Sequence, residues 1–344
     1  MKHREMILKT AEKIPPLASV LTLSWNNAVH LQHCLDCLTK QTFKDFEVII
    51  IVNSPTDESH IELLSNQVAL SLRVESLGEN KGFAAANNIG AKLAKGQWLA
   101  LLNADAFPEP DWLEKLLRAA EENQEFSSFS SRQIQANAMD LLDGAGDSYH
   151  ITGLAWRRYY DKPTLQYGLG FEEVFSACPA AALYSREAFL NLGGFDEDYF
   201  SYFEDVDLGF RLRLRGEKCL YIPEAVVHHV GSASTGKRSD FSVYYGYRNL
   251  IWTFVKNMPT PLIWIFLPLH LAAILFFAVY LTLRGQGNAI WKAIFDAFIG
   301  LPKIIEKRKS IQKNKKITSQ ELLKVMSVGL LEPYREFRQR NMGR

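Results

Sequence analysis

The chain has 344 residues, 47% hydrophobic and 22% charged, with 39 Lys plus Arg against 38 Asp plus Glu and a net charge of +1. That usage excludes a disordered tail or a fibrous protein, and the length leaves room for about two structural units with a buried core. So balanced a charge leaves no overall field for gripping nucleic acid, and only four cysteines exclude a disulfide scaffold and fit a reducing compartment.

Residues 1–17 form a basic N-terminal extension. Lys9, Glu12 and Lys13 interrupt any apolar run there, and Pro15-Pro16 follow. No secretory signal is read, so the following domain is expected in the cytoplasm. Residues 18–256 read as one α/β domain. Ser19–Ser24 and Phe46–Val52 are short, β-branched and apolar, the pattern of strands buried on both faces. Between them, Leu31, Cys34, Leu35 and Leu38 repeat at helical steps within Ala28–Leu38. Leu72–Ser76 reads as a strand, Gly82–Lys95 as a helix, Gln97–Leu102 as a strand, and Pro110–Arg118 starts another helix. This alternation predicts a mostly parallel sheet flanked by helices, with ligands beyond the C-terminal strand ends. Ser24-Trp25-Asn26, Val52-Asn53 and Asn103-Ala104-Asp105 are then expected to converge on one crevice.

Three motifs carry chemistry. Asp105 follows a buried strand directly, where a carboxylate can hold Mg²⁺ or Mn²⁺ against a diphosphate. Alone, such an Asp is as readily a turn former. Glu204, Asp205 and Asp207 open a helix whose apolar positions are Leu208, Phe210, Leu212 and Leu214. Acids there can cap the helix, or one can take a proton from a hydroxyl. The flanking Tyr199, Phe200, Tyr202 and Phe203 would wall a pocket around them. His229 ends the strand-like run CLYIPEAVVHH and can complete a metal site with Asp105. The loop beyond it, GSASTGKRSD, is expected to close as a lid that brings Lys237 and Arg238 to phosphate. Cys34 and Cys37 form a CxxC inside a helix with no second pair, and read as packing rather than zinc ligands. Gly78 to Gly82 lacks the glycine spacing of a dinucleotide fingerprint.

Residues 257–344 form a C-terminal apolar and basic helical region. Asn257 to Leu283 holds no Asp, Glu, Lys or Arg, a length that can cross a bilayer. Ala289 to Leu301 is apolar but too short to span, and seven Lys/Arg follow between Lys303 and Lys316. A single span would put that cluster outside, against the positive-inside rule. The region is therefore expected to lie monotopic or re-entrant in the inner leaflet, its basic cluster on anionic headgroups.

Together the motifs resemble a family-2 glycosyltransferase of the GT-A fold, of the bacterial rhamnosyltransferase-like kind. The likeness rests on SWNN (24–27), QTFKDFEVIIIVN (41–53), NKGFAAANN (80–88), LLNADAFP (101–108), GGFDEDYFSYFEDVDLGFRLR (193–213) and YIPEAVVHHVGSAS (221–234). It implies inverting transfer of a sugar from a nucleotide-diphospho-sugar to an acceptor hydroxyl. By this resemblance Asp105 holds the metal, Asp205 is the general base, and Glu204 and Asp207 support it. Trp25, Asn26 and Asn53 line the nucleotide pocket, while Asn80, Gly82, Asn87 and Asn103 shape the sugar and ribose side. Val52 stands where the family usually has an Asp that contacts the base, and Cys178-Pro179 where Gly-Ala is common. The Gln/Arg-x-x-Arg-Trp motif of processive synthases is absent, which implies single-sugar transfer. The implied partners are dTDP-rhamnose and a lipid-linked saccharide acceptor, with Arg248 a candidate for the acceptor phosphates. Two other readings are a nucleotidyltransferase, whose Gly-rich basic loop is missing after the first strand, and a non-catalytic membrane scaffold that keeps the fold.

Overall fold

The computed structural model describes residues 15–25, 27–54, 70–231, 239–329, 331–333 and 335. In chain order its elements are β1 (Ala18–Ser24), α1 (Ala28–Thr39), β2 (Phe46–Val52), β3 (Leu72–Ser76), α2 (Gly82–Leu93), β4 (Trp98–Leu102), β5 (Ala106–Pro108) and α3 (Trp112–Glu122). There follow β6 (Ser128–Gln135), β7 (Ala138–Gly144), β8 (Asp147–Tyr149), β9 (Ala155–Arg157), β10 (Glu172–Val174), β11 (Ala181–Ser185), α4 (Arg186–Asn191), α5 (Glu204–Leu214) and β12 (Cys219–His229). Four helices close the described chain: α6 (Asp240–Asn257), α7 (Thr260–Leu283), α8 (Gly287–Lys313) and α9 (Ser319–Val325).

Successive strand residues point to opposite faces, and that alternation divides the core. Ala18 and Val20 of β1, with Val48, Ile50 and Val52 of β2, join one apolar cluster under α1 and α3. Leu21, Ile49 and Ile51 join the other, with Ala84, Ala86 and Ala91 of α2 and Leu208 and Leu212 of α5. Helices thus cover both faces of the sheet. The main strand order is β10-β12-β6-β11-β4-β1-β2-β3, with β5 on β12 and β7 on β6. The run β4-β1-β2-β3 is parallel, as is β6 with β12, while β11 runs antiparallel between β4 and β6. The expected α/β class and mostly parallel sheet hold. Cys34 is buried in this core and Cys37 half-buried, both as free thiols.

Helix α5 lies between the sheet and the C-terminal helices. Its Val206, Phe210 and Leu214 turn away from the sheet to meet Phe254, Met258, Leu262 and Leu322. Helix α6 packs along α8, and Trp252 Nε1 donates to Ala297 O at 3.0 Å. A Cβ on Gly300 would lie 2.4 Å from the Trp252 ring, so only glycine allows that approach.

Helix α7 buries only the stripe Leu262, His270, Ala278 and Leu281. Trp264, Ile265, Leu275 and Leu283 are 59–82% exposed. A helix apolar around most of its circumference is suited to a membrane or a large core. At 24 residues it is about 36 Å long, and among the described residues it is the one helix long and apolar enough to cross a bilayer. The His270 ring stacks on Phe254 at 3.9 Å, with Nδ1 2.7 Å from Thr152 O.

The basic stretch differs from expectation. Helix α8 continues unbroken through Pro302 to Lys313, and its basic half turns toward the α/β domain. Lys303 reaches Asp198, Lys307 reaches Asp196 and Asp198, Arg308 donates to Val255 O and Met258 O, and Lys309 pairs with Glu306. With Lys315, which donates to Ile317 O at 2.7 Å, five of the seven cations have protein partners, so fewer are left for headgroups than the sequence suggests.

Candidate active site

The C-terminal ends of three neighbouring strands open on one cavity of ≈ 1400 Å³. The end of β1 supplies Trp25, that of β2 Asn53, and that of β4 Asn103, Ala104 and Asp105. Asn80, Gly82, Glu204, Asp205 and His229 line the same cavity. Two expected residues stand apart from its lining. Asn87 donates from Nδ2 to Phe83 O within α2, and Asp207 is fully buried beneath the acids. Asn26, Lys237 and Arg238, with residues 232–238 of the expected lid, lie outside the described residues.

Asp105 and His229 meet because β5 pairs antiparallel with β12, setting Ala106 opposite His229. Asp105 Oδ1 lies 3.4 Å from His229 Nε2, and His229 Nδ1 lies 2.8 Å from Asp143 Oδ2. Arg157 also binds Asp143. Burial pushes the Asp105 carboxyl up, but the hydrogen bond and charge of His229 bring it below the ordinary range. Burial pushes His229 down, and Asp105 and Asp143 together more than reverse that. Its neighbour His228 points the other way, to Glu109 at 2.8 Å.

A histidine anchored through one ring nitrogen by a carboxylate, its other nitrogen facing a second carboxylate, is the usual setting of a metal-bound imidazole. No cluster of three or more candidate ligands occurs among the described residues. A hard divalent cation beside phosphate needs only one or two protein ligands. Among the described residues, the cavity wall also carries six carboxylates, Asp105, Asp143, Asp147, Asp161, Glu204 and Asp205, against Arg157 and Arg284. A diphosphate entering such a wall is repelled unless a cation accompanies it. The donor set therefore fits Mg²⁺ or Mn²⁺.

The second acid group sits behind a strained turn. Phe200, Tyr202 and Phe203 have φ of 63°, 67° and 67°, a conformation that costs bulky residues about 1–3 kcal/mol each. Asn249 on α6 holds this turn. Its Nδ2 donates to the carbonyls of Tyr199 (2.9 Å), Ser201 (3.0 Å) and Tyr202 (2.7 Å). Arg248 donates to Asp198 O and Tyr199 O at 2.8 and 3.1 Å and stacks on Trp252 at 4.3 Å. The guanidinium is thus occupied in holding the turn, away from the acceptor role considered for it. On the other side, Gly82 (φ 81°) touches the turn so closely that a Cβ would lie 2.5 Å from the Phe200 ring.

The turn delivers two acids to the cavity, Glu204 buried and Asp205 half-buried. Burial, aided by the charge of Asp205, raises Glu204 well above the ordinary 4.5. Its Oε2 has no hydrogen-bond partner among the described residues. Burial also raises Asp205, although the Val206 amide donates to its Oδ1 at 2.8 Å and Arg157 opposes the shift. Acids shifted toward neutrality in a cleft have the character of proton acceptors and donors. Asp207 contrasts with both. Burial pushes it up, but Arg211 and Lys256, both at 2.8 Å, bring it down, and Asn257 donates to it at 2.7 Å. It ties the acid helix to α6.

Three contributors went unread in the sequence: Asp143, Arg157 and Asn249. Asp143 and Arg157 lie on β7 and the three-residue β9, whose short runs carry no clear periodicity. Asn249 stands beside Arg248 in a helix, where an Asn has no distinguishing local pattern.

Comparison with known proteins follows the same line. The model of glycosyl transferase family 2 matches residues 19–193. The O-antigen biosynthesis protein RfbC of Myxococcus xanthus is 29% identical over 224 residues, 61% of this chain and 17% of that protein. An uncharacterized glycosyltransferase of Haemophilus influenzae is 29% identical over 118 residues, 34% of this chain and 36% of the relative. The N-acetylglucosaminyl-diphospho-decaprenol L-rhamnosyltransferase of Mycobacterium tuberculosis is 28% identical over 252 residues, 63% of this chain and 77% of that one. The chain thus spans well under two thirds of the first two relatives. Among solved structures, GalNAc-T7 with UDP, GalNAc and Mn²⁺ superposes at a TM-score of 0.57 with 18% identity, covering 71% of this chain and 48% of that one. The mannosyltransferase PcManGT of Pyrobaculum calidifontis with GDP-Man and Mn²⁺ gives 0.53 with 14% identity, covering 90% and 83%. These two share the fold.

Proposed function

This chain belongs to glycosyl transferase family 2, and we propose that it moves a single sugar from a nucleotide-diphospho-sugar to a hydroxyl of a lipid-linked glycan in cell-surface polysaccharide synthesis. Rhamnose from dTDP-rhamnose is the donor we favour, in keeping with the Mycobacterium relative. The carrying observation is that the Asp105–His229 pair and the Glu204–Asp205 pair face one cavity. Residues 18–256 form the catalytic unit in this reading, and residues 257–344 attach it to the cytoplasmic face of the membrane through α7 and α8.

Asp205 takes the proton of the acceptor hydroxyl as its oxygen attacks the anomeric carbon. The new carbon–oxygen bond forms as the bond to the diphosphate breaks on the opposite face, and the nucleoside diphosphate leaves with the bonding pair. Holding both reactants in line supplies much of the rate. Glu204 keeps the base in a desolvated setting, and Asp207 anchors the helix that carries both. Trp25, Asn53, Asn80 and Asn103 orient the donor. Asp105 and His229 would hold the Mg²⁺ or Mn²⁺, which neutralises charge on the leaving group.

The test is nucleoside diphosphate release from a panel of nucleotide-sugars by lipid-reconstituted protein, with Mn²⁺, Mg²⁺ or EDTA, and with or without a polyprenyl diphospho-sugar. We expect metal-dependent release confined to one donor and raised by the lipid acceptor. Pyrophosphate release from a nucleoside triphosphate would favour a nucleotidyltransferase instead. Donor binding without any turnover across the acceptor series would favour a scaffold.

A further inference from the structure

We propose that Arg284 binds a phosphate of the lipid-anchored acceptor, where the catalytic cavity meets the apolar helix; this rests on the lipid-linked reading above. The cavity, at ≈ 1400 Å³, exceeds the roughly 300–1,000 Å³ of a site for one small ligand. It does not end at the nucleotide crevice. It runs past Tyr245 and Leu250 of α6 to Phe277, Tyr280, Leu281 and Arg284 at the end of α7. One continuous space therefore joins Asp205 to the end of the apolar helix.

Among the described residues, the cations on its wall are few. Arg157 is ion-paired with Asp143, and His229 stands between Asp105 and Asp143. Arg284 has no carboxylate ion pair among the described residues. It is exposed, and its guanidinium lies 5.4 Å from the centre of the Tyr280 ring. Its position is also set by the chain. It is the first residue after α7, Gly285 (φ 84°) turns the backbone there, and Gln286 Nε2 ties the turn to Asp240 Oδ1 at 3.1 Å. The turn is thereby held against the start of α6, beside the cavity.

A lipid-linked acceptor has an apolar tail, then an anionic linkage, then a reacting hydroxyl. The molecule offers matching partners in the same order: exposed apolar α7, Arg284, then Asp205. A guanidinium forms strong charge-assisted bonds to phosphate oxygens. In the proposed reading the donor's diphosphate would meet the cation held by Asp105 and His229, which leaves Arg284 for a second anion.

The experiment measures binding of the full chain to phosphatidylcholine vesicles by sedimentation. The vesicles carry polyprenyl diphosphate, the same prenol without phosphate, or phosphatidylglycerol at matched charge. Wild type is expected to bind the diphosphate vesicles about tenfold more tightly than the prenol vesicles. Arg284→Ala is expected to lose that gain while still binding prenol vesicles, and Arg284→Lys to retain part of it. An equal gain in wild type and Arg284→Ala, or no gain in wild type, overturns the site. An equal gain on phosphatidylglycerol, lost in Arg284→Ala, overturns the acceptor assignment in favour of a headgroup contact. No arm uses a nucleotide-sugar, so failure of the sugar-transfer reading shows separately in the donor panel.

Discussion

Asp105 stands at the end of a sheet strand, answered by His229, with its carboxyl below the ordinary range. Glu204 and Asp205 stand at the head of a helix, behind three strained aromatics, with theirs above it. Both groups are carboxylates in one cavity, and the environments push them apart. A carboxyl held ionised by a neighbouring imidazole is suited to a cation. A carboxyl whose charge is penalised by burial is suited to a proton. Under the proposed reaction, the contrast supports giving the cation to Asp105 and the proton to Asp205.

The sharpest way to break this division is Asp205→Asn. Turnover should fall roughly 10²–10⁴-fold, with donor affinity by calorimetry changed by less than about threefold. A large loss of donor affinity would move Asp205 to the donor side. Asp143→Asn probes the other corner from behind His229. It should weaken the apparent Mn²⁺ affinity about 10–100-fold in a metal titration of turnover, and an unchanged titration would detach His229 from the cation.

Asn249→Ala removes three hydrogen bonds to the strained turn. Denaturant unfolding should show a loss of about 1–3 kcal/mol, with a lower kcat per folded molecule. Unchanged kcat would make the clamp structural only. Glu204→Gln gives the smallest effect and the opposite sign. Burial raises the folded carboxyl above 4.5, so glutamate's contribution is intact below that value and lost as pH rises toward the folded value. The variant should therefore melt with wild type below about pH 4.5 and above it at pH 7. Equal melting at both pH values would remove the penalty assigned to Glu204.

The parallel half of the sheet was legible because its strands are buried on both faces, so Ser19–Ser24 and Phe46–Val52 read as continuous apolar runs. The Asp105–His229 corner was legible because both residues end such runs. What escaped depends on distant segments. Asn249 acts on carbonyls of Tyr199, Ser201 and Tyr202, a partnership that only the docking of α6 creates. Asn87 looked like its neighbours in NKGFAAANN but points along its own helix to Phe83. The basic stretch after Leu301 looked free for lipid, yet Lys303 and Lys307 find Asp196 and Asp198, acids more than 100 residues upstream.

The contact of Gly82 with Phe200 has a consequence for the whole machine. The first turn of α2 and the aromatic turn touch directly: a Cβ on Gly82 would lie 2.5 Å from the Phe200 ring and 2.6 Å from its carbonyl oxygen, and the Ala84 amide donates to Phe200 O at 3.2 Å. In the proposed reaction, this contact sets the spacing between the first turn of α2 and the turn that carries Glu204 and Asp205. A side chain at position 82 would force that spacing open.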